Sequence, residues 1–154
     1  MAVTKSTKSI IGWREYVSLS DLGLKNIKAK VDTGARSSAL HAFDISYYKR
    51  GKKTFVKFKV HPEQRNTKKT LNCKAELYEF RKVKSSNGLT EERPVILTTI
   101  LLMDRIWEVE LTLTNRYEMG FRMLLGRRSL RKRFLIDVTK SYLGKKVLEK
   151  RNRK

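Results

Sequence analysis

The sequence predicts an all-β domain built as a small barrel or sandwich. Short segments alternate between apolar and polar residues, and turn signals separate these segments along most of the chain. Helical periodicity is scarce: only residues 127–134 combine a helix-compatible composition with apolar residues four apart, Leu130 and Phe134. With 154 residues, 40% of them hydrophobic, the chain is long enough to form one domain with a buried core.

The predicted elements follow one another in a simple order. We predict strands at residues 11–19, 27–31, 38–45, 54–60, 71–83, 91–102, 106–113, 121–126 and 135–138. Turns or loops are predicted at residues 20–23, 32–35, 48–52, 61–69, 85–88 and 103–105. The chain therefore divides into a flexible basic arm (1–9), a β domain (10–144) and a basic tail (145–154).

The charge of the chain predicts an anionic partner. Lysine and arginine outnumber aspartate and glutamate by 36 to 15, which gives a net charge of +21. Nucleic acid, an anionic membrane surface and an acidic polypeptide all fit this excess. Taken alone, the charge favours nucleic acid.

Cysteine usage and hydropathy predict a cytoplasmic protein that does not enter a membrane. Cys73 is the only cysteine, so an internal disulfide is impossible and a reducing compartment fits best. The first nine residues lack the apolar core of a secretory signal. The longest apolar run, residues 95–103, is much shorter than the roughly 18–20 residues that span a bilayer.

The tripeptide Asp32-Thr33-Gly34 is the strongest candidate for catalytic chemistry. It follows an apolar-alternating run, so Asp32 is expected where a strand turns sharply into a loop. Gly34 permits backbone conformations closed to other residues and a close approach of another chain, while the Thr33 hydroxyl can hold the turn. Aspartic peptidases present a carboxylate to water in this way, although the same tripeptide also forms ordinary turns.

A second motif, an apolar segment that ends in glycine, strengthens the interpretation of the tripeptide. About ninety residues after Asp32, residues 123–127 read Met-Leu-Leu-Gly-Arg and precede the predicted helix. This pairing resembles the retropepsin-like aspartic peptidases, in which an apolar strand ending in glycine and a short helix cradle the Asp-Thr-Gly loop. The resemblance implies a small closed retropepsin-like barrel with one short C-terminal helix.

Longer blocks resemble one bacterial branch, the family named ATP-dependent zinc proteases. The blocks are residues 11–15, 28–42, 125–130 and 134–137. Members are similar to retropepsin-like enzymes associated with ATP-grasp ligases that append glutamates, and some relatives trim such tails. The resemblance thus implies a glutamate-rich peptide or protein substrate, which the basic charge also fits.

The residues favour aspartic chemistry over the metal chemistry of that family name. Only His41, His61 and Cys73 could join an aspartate around a metal, and none has a spacing such as HExxH or CxxC. No phosphate-binding glycine loop is present either. We therefore predict no metal and no cofactor, and we interpret His41 as a packing or surface residue.

An aspartic mechanism needs two carboxylates that share one proton. Because the chain has one Asp-Thr-Gly, we predict a homodimer in which each copy contributes Asp32 at a two-fold axis. The alternative is a second acid in the same chain, for which Asp137 is the best candidate. Asp137 also fits a simpler interpretation as a strand-end or capping residue.

Basic and hydroxyl residues near the two motifs are predicted to bind substrate. Arg36 follows Asp32 by four residues and could grip a carboxylate bidentately, or form a structural salt bridge. Arg127 and Arg128 are similar candidates. Ser37 joins this set, although it could instead bond to the carboxylate of Asp32 or cap the turn.

Two other functions compete with a peptidase. In a nucleic-acid-binding barrel, the cations of residues 49–53 and the rings of Tyr47, Tyr48 and Phe55 would contact phosphates and stack on bases. In the other alternative, the barrel binds acidic tails without cleaving them. Substitution of Asp32 separates both alternatives from a peptidase, since neither needs its carboxylate.

Overall fold

The computed structural model describes residues 8–63, 68–84, 87–115 and 120–146. Within them the chain forms eleven strands, one short α-helix and a 3₁₀ turn at Ser20–Leu22. The strands are β1 (Ser9–Gly12), β2 (Arg14–Leu19), β3 (Leu24–Asp32), β4 (Ser38–His41), β5 (Phe43–Arg50), β6 (Lys53–Val60), β7 (Leu71–Lys84), β8 (Thr90–Leu102), β9 (Arg105–Thr114), β10 (Met123–Gly126) and β11 (Phe134–Asp137), and the helix is α1 (Arg127–Leu130). The predicted all-β class is confirmed.

Nine of the strands form one sheet that closes on itself. Their order is β2-β3-β10-β4-β9-β8-β7-β6-β5. Ser18 of β2 also pairs with Leu101 of β8, so the first six strands of this order form a closed ring. Strands β7, β6 and β5 extend the sheet beyond the ring, and β1 and β11 form a separate parallel pair. Closure protects the ring's strand edges.

The interior of the ring is apolar because alternate residues of its strands point inward. In β3, Leu24, Ile27 and Ala29 are fully buried, Lys25 is exposed and Lys28 is half-buried. The alternation is interrupted between Leu24 and Ile27, where the pairing with β2 shifts register. The same pattern fills the core from β4, β8, β9 and β10 with the side chains of Leu40, Ile96, Ile100, Leu111, Leu113, Met123 and Leu125. This core holds the ends of β3 and β10 side by side.

The predicted strand at 11–19 is two strands, because the chain changes its pairing partner at Trp13. Residues before Trp13 pair with β11, and residues after it pair with β3. At the change of partner, the Trp13 amide donates to the Lys140 carbonyl at 2.9 Å and its carbonyl accepts from the Val31 amide at 2.8 Å. The predicted strand at 38–45 divides at Ala42 in the same way, between β4 and β5.

The predicted helix over residues 127–134 is wrong in length. It ends at Leu130, because Arg131 adopts an extended conformation with ψ of 146° and Lys132 a left-handed one with φ of 71°. Phe134 then begins β11. Leu130 and Phe134 are both buried, but Leu130 belongs to α1 and Phe134 to β11. Their spacing of four residues therefore does not indicate one helix face.

Several turns and loops are where the sequence predicts them. Gly51 has a φ of 66° at the β5–β6 turn and Gly88 a φ of 86° between β7 and β8. The predictions at residues 85–86 and 64–67 lie outside the described residues, as do most of the basic arm (1–7) and of the tail (147–154). Ser9, placed in the arm by the sequence, is the first residue of β1.

A buried carboxylate ties the C-terminal segment to the ring. Glu15 is fully buried and accepts hydrogen bonds from the amides of Gly12, Leu143 and Gly144 at 2.7–2.9 Å. Three donors compensate for the burial of this polar group. In the part of the chain that the structure describes, no helix has the length and apolar character needed to cross a membrane.

Candidate active site

Asp32 lies at the end of β3, where the chain leaves the sheet. It is the register partner of Gly126, the last residue of the parallel strand β10. Its Oδ1 accepts a hydrogen bond from the Gly34 amide at 3.1 Å, and its carbonyl accepts one from the Ala35 amide at 3.1 Å. Thr33 and Gly34 are exposed. The predicted Asp-Thr-Gly turn therefore presents a partly exposed carboxylate, which accepts a hydrogen bond from an amide within the turn.

Gly126 is required by the close approach of the loop that follows Asp32. A Cβ atom built at this position would lie 2.5 Å from the carbonyl carbon and oxygen of Ser37, and 2.9 Å from the carbonyl carbon of Arg36. Backbone atoms cannot move away as the end of a flexible side chain can. The glycine of the predicted apolar-apolar-Gly strand is thus the place where the loop packs on β10.

Two buried hydroxyls fix this packing. Ser38 Oγ accepts a hydrogen bond from the Gly126 amide at 3.0 Å and lies 2.6 Å from Ser129 Oγ. Both serines are buried, and the Thr112 hydroxyl donates to the Ser38 carbonyl at 3.1 Å. The network joins β4, β9, β10 and α1. Sequence reasoning missed Ser129 because its partner is 91 residues away in the chain.

The first residues of α1 hold the main chain of the Asp32 loop. The amides of Arg127 and Arg128 donate to the carbonyls of Ala35 and Arg36 at 2.9 and 3.1 Å. The Arg127 side chain adds Nη1 bonds to the carbonyls of Thr33 at 3.1 Å and Gly34 at 3.3 Å. Four carbonyls of one short loop therefore receive donors from two consecutive residues. We name the unit formed by residues 32–38, β10 and α1 the cradle.

The cradle brings the predicted substrate-binding residues to one side of the molecule. Arg36 and Arg128 are exposed, and neither forms an ion pair with a described acid. Arg127 uses one guanidinium nitrogen to hold the loop, so its contact with substrate would have to come from the others. Ser37 Oγ accepts a hydrogen bond from Arg81 Nη1 at 3.4 Å. Substrate binding by these four residues stays a prediction.

Arg81 is a residue beside the cradle that sequence reasoning missed. It lies on β7, and its guanidinium bridges Glu79 of the same strand and Glu110 of β9. Through its hydrogen bond to Ser37 Oγ, Arg81 connects the long β7–β8 hairpin to the cradle. Nothing local in the sequence distinguishes it from the other arginines, because its role depends on residues 29 and 44 positions away.

Asp137 has the local contacts of a strand-end residue. Its Oδ1 accepts hydrogen bonds from the Thr139 hydroxyl at 2.6 Å and the Thr139 amide at 2.9 Å. These two bonds hold the pKa of its carboxyl below the ordinary value. Its carbonyl accepts from the Lys140 amide at 3.1 Å, which closes a turn after β11. These contacts support the capping interpretation of Asp137.

The residues considered for a metal are not gathered around one point. In the described ranges, no group of three or more histidines, cysteines, aspartates or glutamates could hold an ion. Cys73 is buried, its Sγ donates to the Leu22 carbonyl at 3.4 Å, and burial raises the pKa of the thiol to about 11. Burial and the neighbouring Arg122 lower the pKa of His41.

The aromatic residues of the nucleic-acid alternative pack largely on one another. Tyr48 and Phe55 stack at a centroid distance of 5.5 Å, and the Lys57 ammonium lies 5.6 Å from the Tyr48 ring. Tyr47 meets Phe80 edge-to-face at 5.5 Å. These contacts fit half-buried strand aromatics on a solvated hairpin, although Tyr47 and Phe80 keep exposed ring surface.

Comparison with protein families agrees with the geometry of the cradle. The model of the RimB-like family, described as "Retropepsin-like aspartic endopeptidase RimB", matches residues 10–147. This description specifies an aspartic endopeptidase, as the Asp-Thr-Gly turn predicts. It does not carry the zinc protease name that the sequence resemblance suggested.

Curated relatives are longer proteins named "Probable alpha-L-glutamate ligase". The relative from Shewanella pealeana is 46% identical over 140 residues, which are 90% of this chain and 31% of that protein. The relative from Desulfotalea psychrophila is 40% identical over 156 residues, covering 96% of this chain and 34% of that protein. The chain spans about a third of the length of these curated relatives.

A solved structure shares the fold. It is a crystal structure of a Legionella pneumophila protein of unknown function, with a TM-score of 0.72 and 28% sequence identity. The similarity covers 89% of this chain and 98% of the Legionella chain. The same fold therefore occurs in a protein of nearly the same extent.

Proposed function

We propose that this chain, which belongs to the RimB-like family of retropepsin-like aspartic endopeptidases, hydrolyses glutamate-rich peptide or protein tails. The observation that carries the proposal is the position of Asp32. Its carboxylate projects from a loop that β10 and α1 hold through the Gly126 contact and the four carbonyl bonds. Catalysis benefits from a reactive group whose surroundings are already organised.

The reaction requires two carboxyl groups that share one proton. The ionised carboxylate takes a proton from a water molecule, and the oxygen of that water attacks the scissile carbonyl. The protonated carboxyl donates its proton to the carbonyl oxygen, which gives a tetrahedral intermediate. As the intermediate collapses and its C–N bond breaks, the carboxyl that took a proton from water gives that proton to the leaving amine nitrogen. The other carboxylate takes back the proton from a hydroxyl of the intermediate, which restores the pair with one shared proton. In this scheme Asp32 is the reacting group, and Thr33 and Gly34 shape the turn that presents it.

A second copy of the chain would supply the second carboxyl group. Asp137 is a poor substitute because its Oδ1 is already bound to Thr139. The β1–β11 pair offers an apolar surface to a second copy, since Ile10 and Leu135 are directly opposite in register and 53% and 54% exposed. A two-fold dimer would repeat this pair on both subunits.

Charge and relatives both support a glutamate-rich substrate. A net charge of +21 favours association with a polyanion. The curated relatives carry a segment like this chain within longer proteins whose name is that of a glutamate ligase. We infer that the RimB-like segment acts on a glutamate-bearing chain of the kind that such a ligase would make.

Mass spectrometry of peptide products tests this proposal. Wild type, Asp32→Asn and Asp44→Asn are each incubated with a glutamate-tailed peptide and a neutral peptide, with and without a chelator. Asp44 is a matched control because it is exposed and pairs only with Lys59, at 3.3 Å, among the described ion pairs. The proposal expects cleavage of the acidic tail by wild type and Asp44→Asn, unaffected by the chelator.

The same measurement can overturn the proposal. Cleavage by Asp32→Asn at the wild-type rate would remove the aspartic mechanism. Loss of cleavage on chelation would restore a metal mechanism. Tight, salt-sensitive binding of the tail without cleavage would leave a binding module.

A further inference from the structure

A cleft lies beside the cradle, between α1 and β9. Its volume is about 280 Å³, close to the lower end of the ~300–1,000 Å³ range of small-molecule sites. Ser37 and Ser38 of the cradle form part of its wall, and Trp107 and Val109 of β9 lie on the other side. The Ser38 hydroxyl accepts a hydrogen bond from the Gly126 amide, so one residue of the cleft wall also supports the strand that lies beside Asp32.

Three arginines line this cleft. They are Arg128 of α1, and Arg131 and Arg133 of the segment between α1 and β11. None of the three forms an ion pair with a described acid, although Arg81 and Arg93 do so elsewhere in the molecule. We name this site, with Trp107, the arginine cleft.

The arginine cleft is positive even though two glutamates lie in its wall. Glu110 is bound by Arg81 at 2.8 Å, so its charge is already matched. Glu108 is exposed and forms none of the described ion pairs. Against three guanidinium groups, Glu108 is the one lining carboxylate without a cation of its own. An anion in the cleft would therefore gain more cationic than acidic neighbours.

Trp107 gives the cleft a fixed wall. The Arg133 guanidinium lies over its ring at 4.8 Å, and the ring also contacts Phe134 at a centroid distance of 5.7 Å. Stacking on an aromatic ring orients a guanidinium while its N–H groups stay free for a carboxylate. The Arg133 side chain is therefore already partly ordered, and anion binding costs less conformational entropy.

We propose that the arginine cleft binds carboxylate side chains of the substrate tail next to the bond that Asp32 cleaves. The inference rests on the proposed peptidase function and adds Arg131, Arg133 and Trp107 to the substrate-binding residues. Bidentate pairs with Arg131 and Arg133 select carboxylates over the uncharged amides of a glutamine tail. The cleft thus provides specificity for acidic residues, separate from the chemistry at Asp32.

Binding to the catalytically silent Asp32→Asn chain tests the cleft apart from cleavage. The probes are a pentaglutamate peptide, a pentaglutamine peptide and an oligothymidylate of equal charge, titrated at fixed ionic strength. Adding Arg131→Gln and Arg133→Gln together is expected to weaken the pentaglutamate Kd about tenfold, or ~1.4 kcal/mol, as two partly exposed charge pairs would. Pentaglutamine binding is expected to stay weak and unchanged.

Lys132→Gln is the matched control, because it removes one charge from the same segment at a residue that does not line the cleft. It is expected to change the Kd less than twofold. Arg128→Gln, at an exposed helix position, provides an independent variant if the double variant fails to fold.

An equal loss of affinity per charge removed in Lys132→Gln and in the cleft variants would overturn the proposal, since the loss would then reflect general charge. Tighter binding of the oligothymidylate, lost in the same variants, would assign the cleft to nucleic acid. Because binding is measured without turnover, these results do not depend on whether the wild type cleaves peptides. Failure of the cleft is therefore distinguishable from failure of the peptidase.

Discussion

The cradle is built differently from the part of the sheet that extends beyond the ring. That part consists of β5, β6, β7 and the start of β8, and we call it the arm, as distinct from the basic segment at residues 1–9. In the arm, cations stand against acids, as in Lys59–Asp44 and Arg93–Glu91, and aromatic pairs lie partly in solvent. In the cradle, Gly126, Ser38 and the α1 amides bind the main chain of one loop. The arm is thus held by contacts between side chains, whereas the cradle is held by contacts of the main chain that leave no room for an added atom.

The two regions also use their charge differently. Residues 121–146 contain nine lysines and arginines and a single acid, Asp137. With few acids nearby, Arg128 and Arg131 have no described counterion, and Arg127 donates to carbonyls instead. Arg128 and Arg131 therefore leave positive charge for an external anion, while part of the charge in the arm is paired within the arm.

The largest expected effect comes from adding one methyl group to the cradle. Gly126→Ala would push a Cβ against the Ser37 carbonyl, and overpacking of this kind costs about 3 kcal/mol. A loss of this size lowers Tm by roughly 10 °C in a chain of this length. The arm control is Gly51→Ala, which meets no atom within 4 Å and suffers only from its φ of 66°, a cost of about 1 kcal/mol. Equal losses of Tm in the two variants would erase the distinction between the regions.

The next effect separates two arginines of the cradle by their kinetics. Arg127→Met removes the donor to the Thr33 and Gly34 carbonyls, so we expect kcat to fall about tenfold with little change in KM. Arg36→Ala is expected to raise KM for a glutamate tail more than it lowers kcat, because the Arg36 side chain is exposed. Steady-state kinetics on one acidic peptide measure both. A rise in KM alone for Arg127→Met would make Arg127 a substrate-binding residue.

A smaller effect is expected where the arm touches the cradle. Arg81→Gln leaves Glu79 and Glu110 without their shared guanidinium and removes the contact with Ser37. Because these groups are partly exposed, we expect a loss of about 1 kcal/mol, measured by urea unfolding. The exposed pair of Lys53 and Glu76 is the control, and Lys53→Gln should cost less than about 0.5 kcal/mol. A loss from Arg81→Gln no larger than that from Lys53→Gln would show that the Arg81 bridge contributes no more than an exposed surface pair.

The smallest expected effect concerns pH. Burial and Arg122 hold the pKa of His41 below its ordinary value of 6.5, with His61 acting in the same direction and a hydrogen bond at Asn115 opposing them. Below about pH 6.5 the unfolded chain then binds a proton that the folded chain resists, so stability falls as the pH drops. Between pH 7 and 5, Tm of the wild type should fall about 2 °C more than that of His41→Gln. A steeper fall in the variant would contradict this sign.

Local patterns in the sequence predicted the elements that touch Asp32. The alternation of β3 and the apolar run ending in Gly126 depend on nearby residues, and both strands are present. β3 begins three residues earlier than predicted, at Leu24, and β10 two residues later, at Met123. The end of α1 was predicted four residues too late, because the burial of Phe134 comes from β11 rather than from the helix. Periodicity alone does not distinguish these two causes of burial.

The contacts that support the site could not be predicted from local sequence. Ser38 meets Ser129 across 91 residues, and Arg81 meets Ser37 across 44. Arg131 and Arg133 look like ordinary surface charge until β9 is placed opposite them. Such contacts arise from the order of strands in the sheet, in which β10 lies between β3 and β4. The order of strands cannot be predicted from any single segment of the sequence.

A subunit-mixing experiment tests the central claim, that Asp32 from two copies of the chain forms the catalytic pair. Wild type and Asp32→Asn are unfolded and refolded together in measured ratios, and cleavage of a glutamate-tailed peptide is followed at constant total protein. If each site needs two Asp32 residues, activity should fall as the square of the wild-type fraction, to about a quarter at equal amounts. A linear fall to one half would place the whole site within one chain, and undiminished activity would contradict a catalytic role for Asp32.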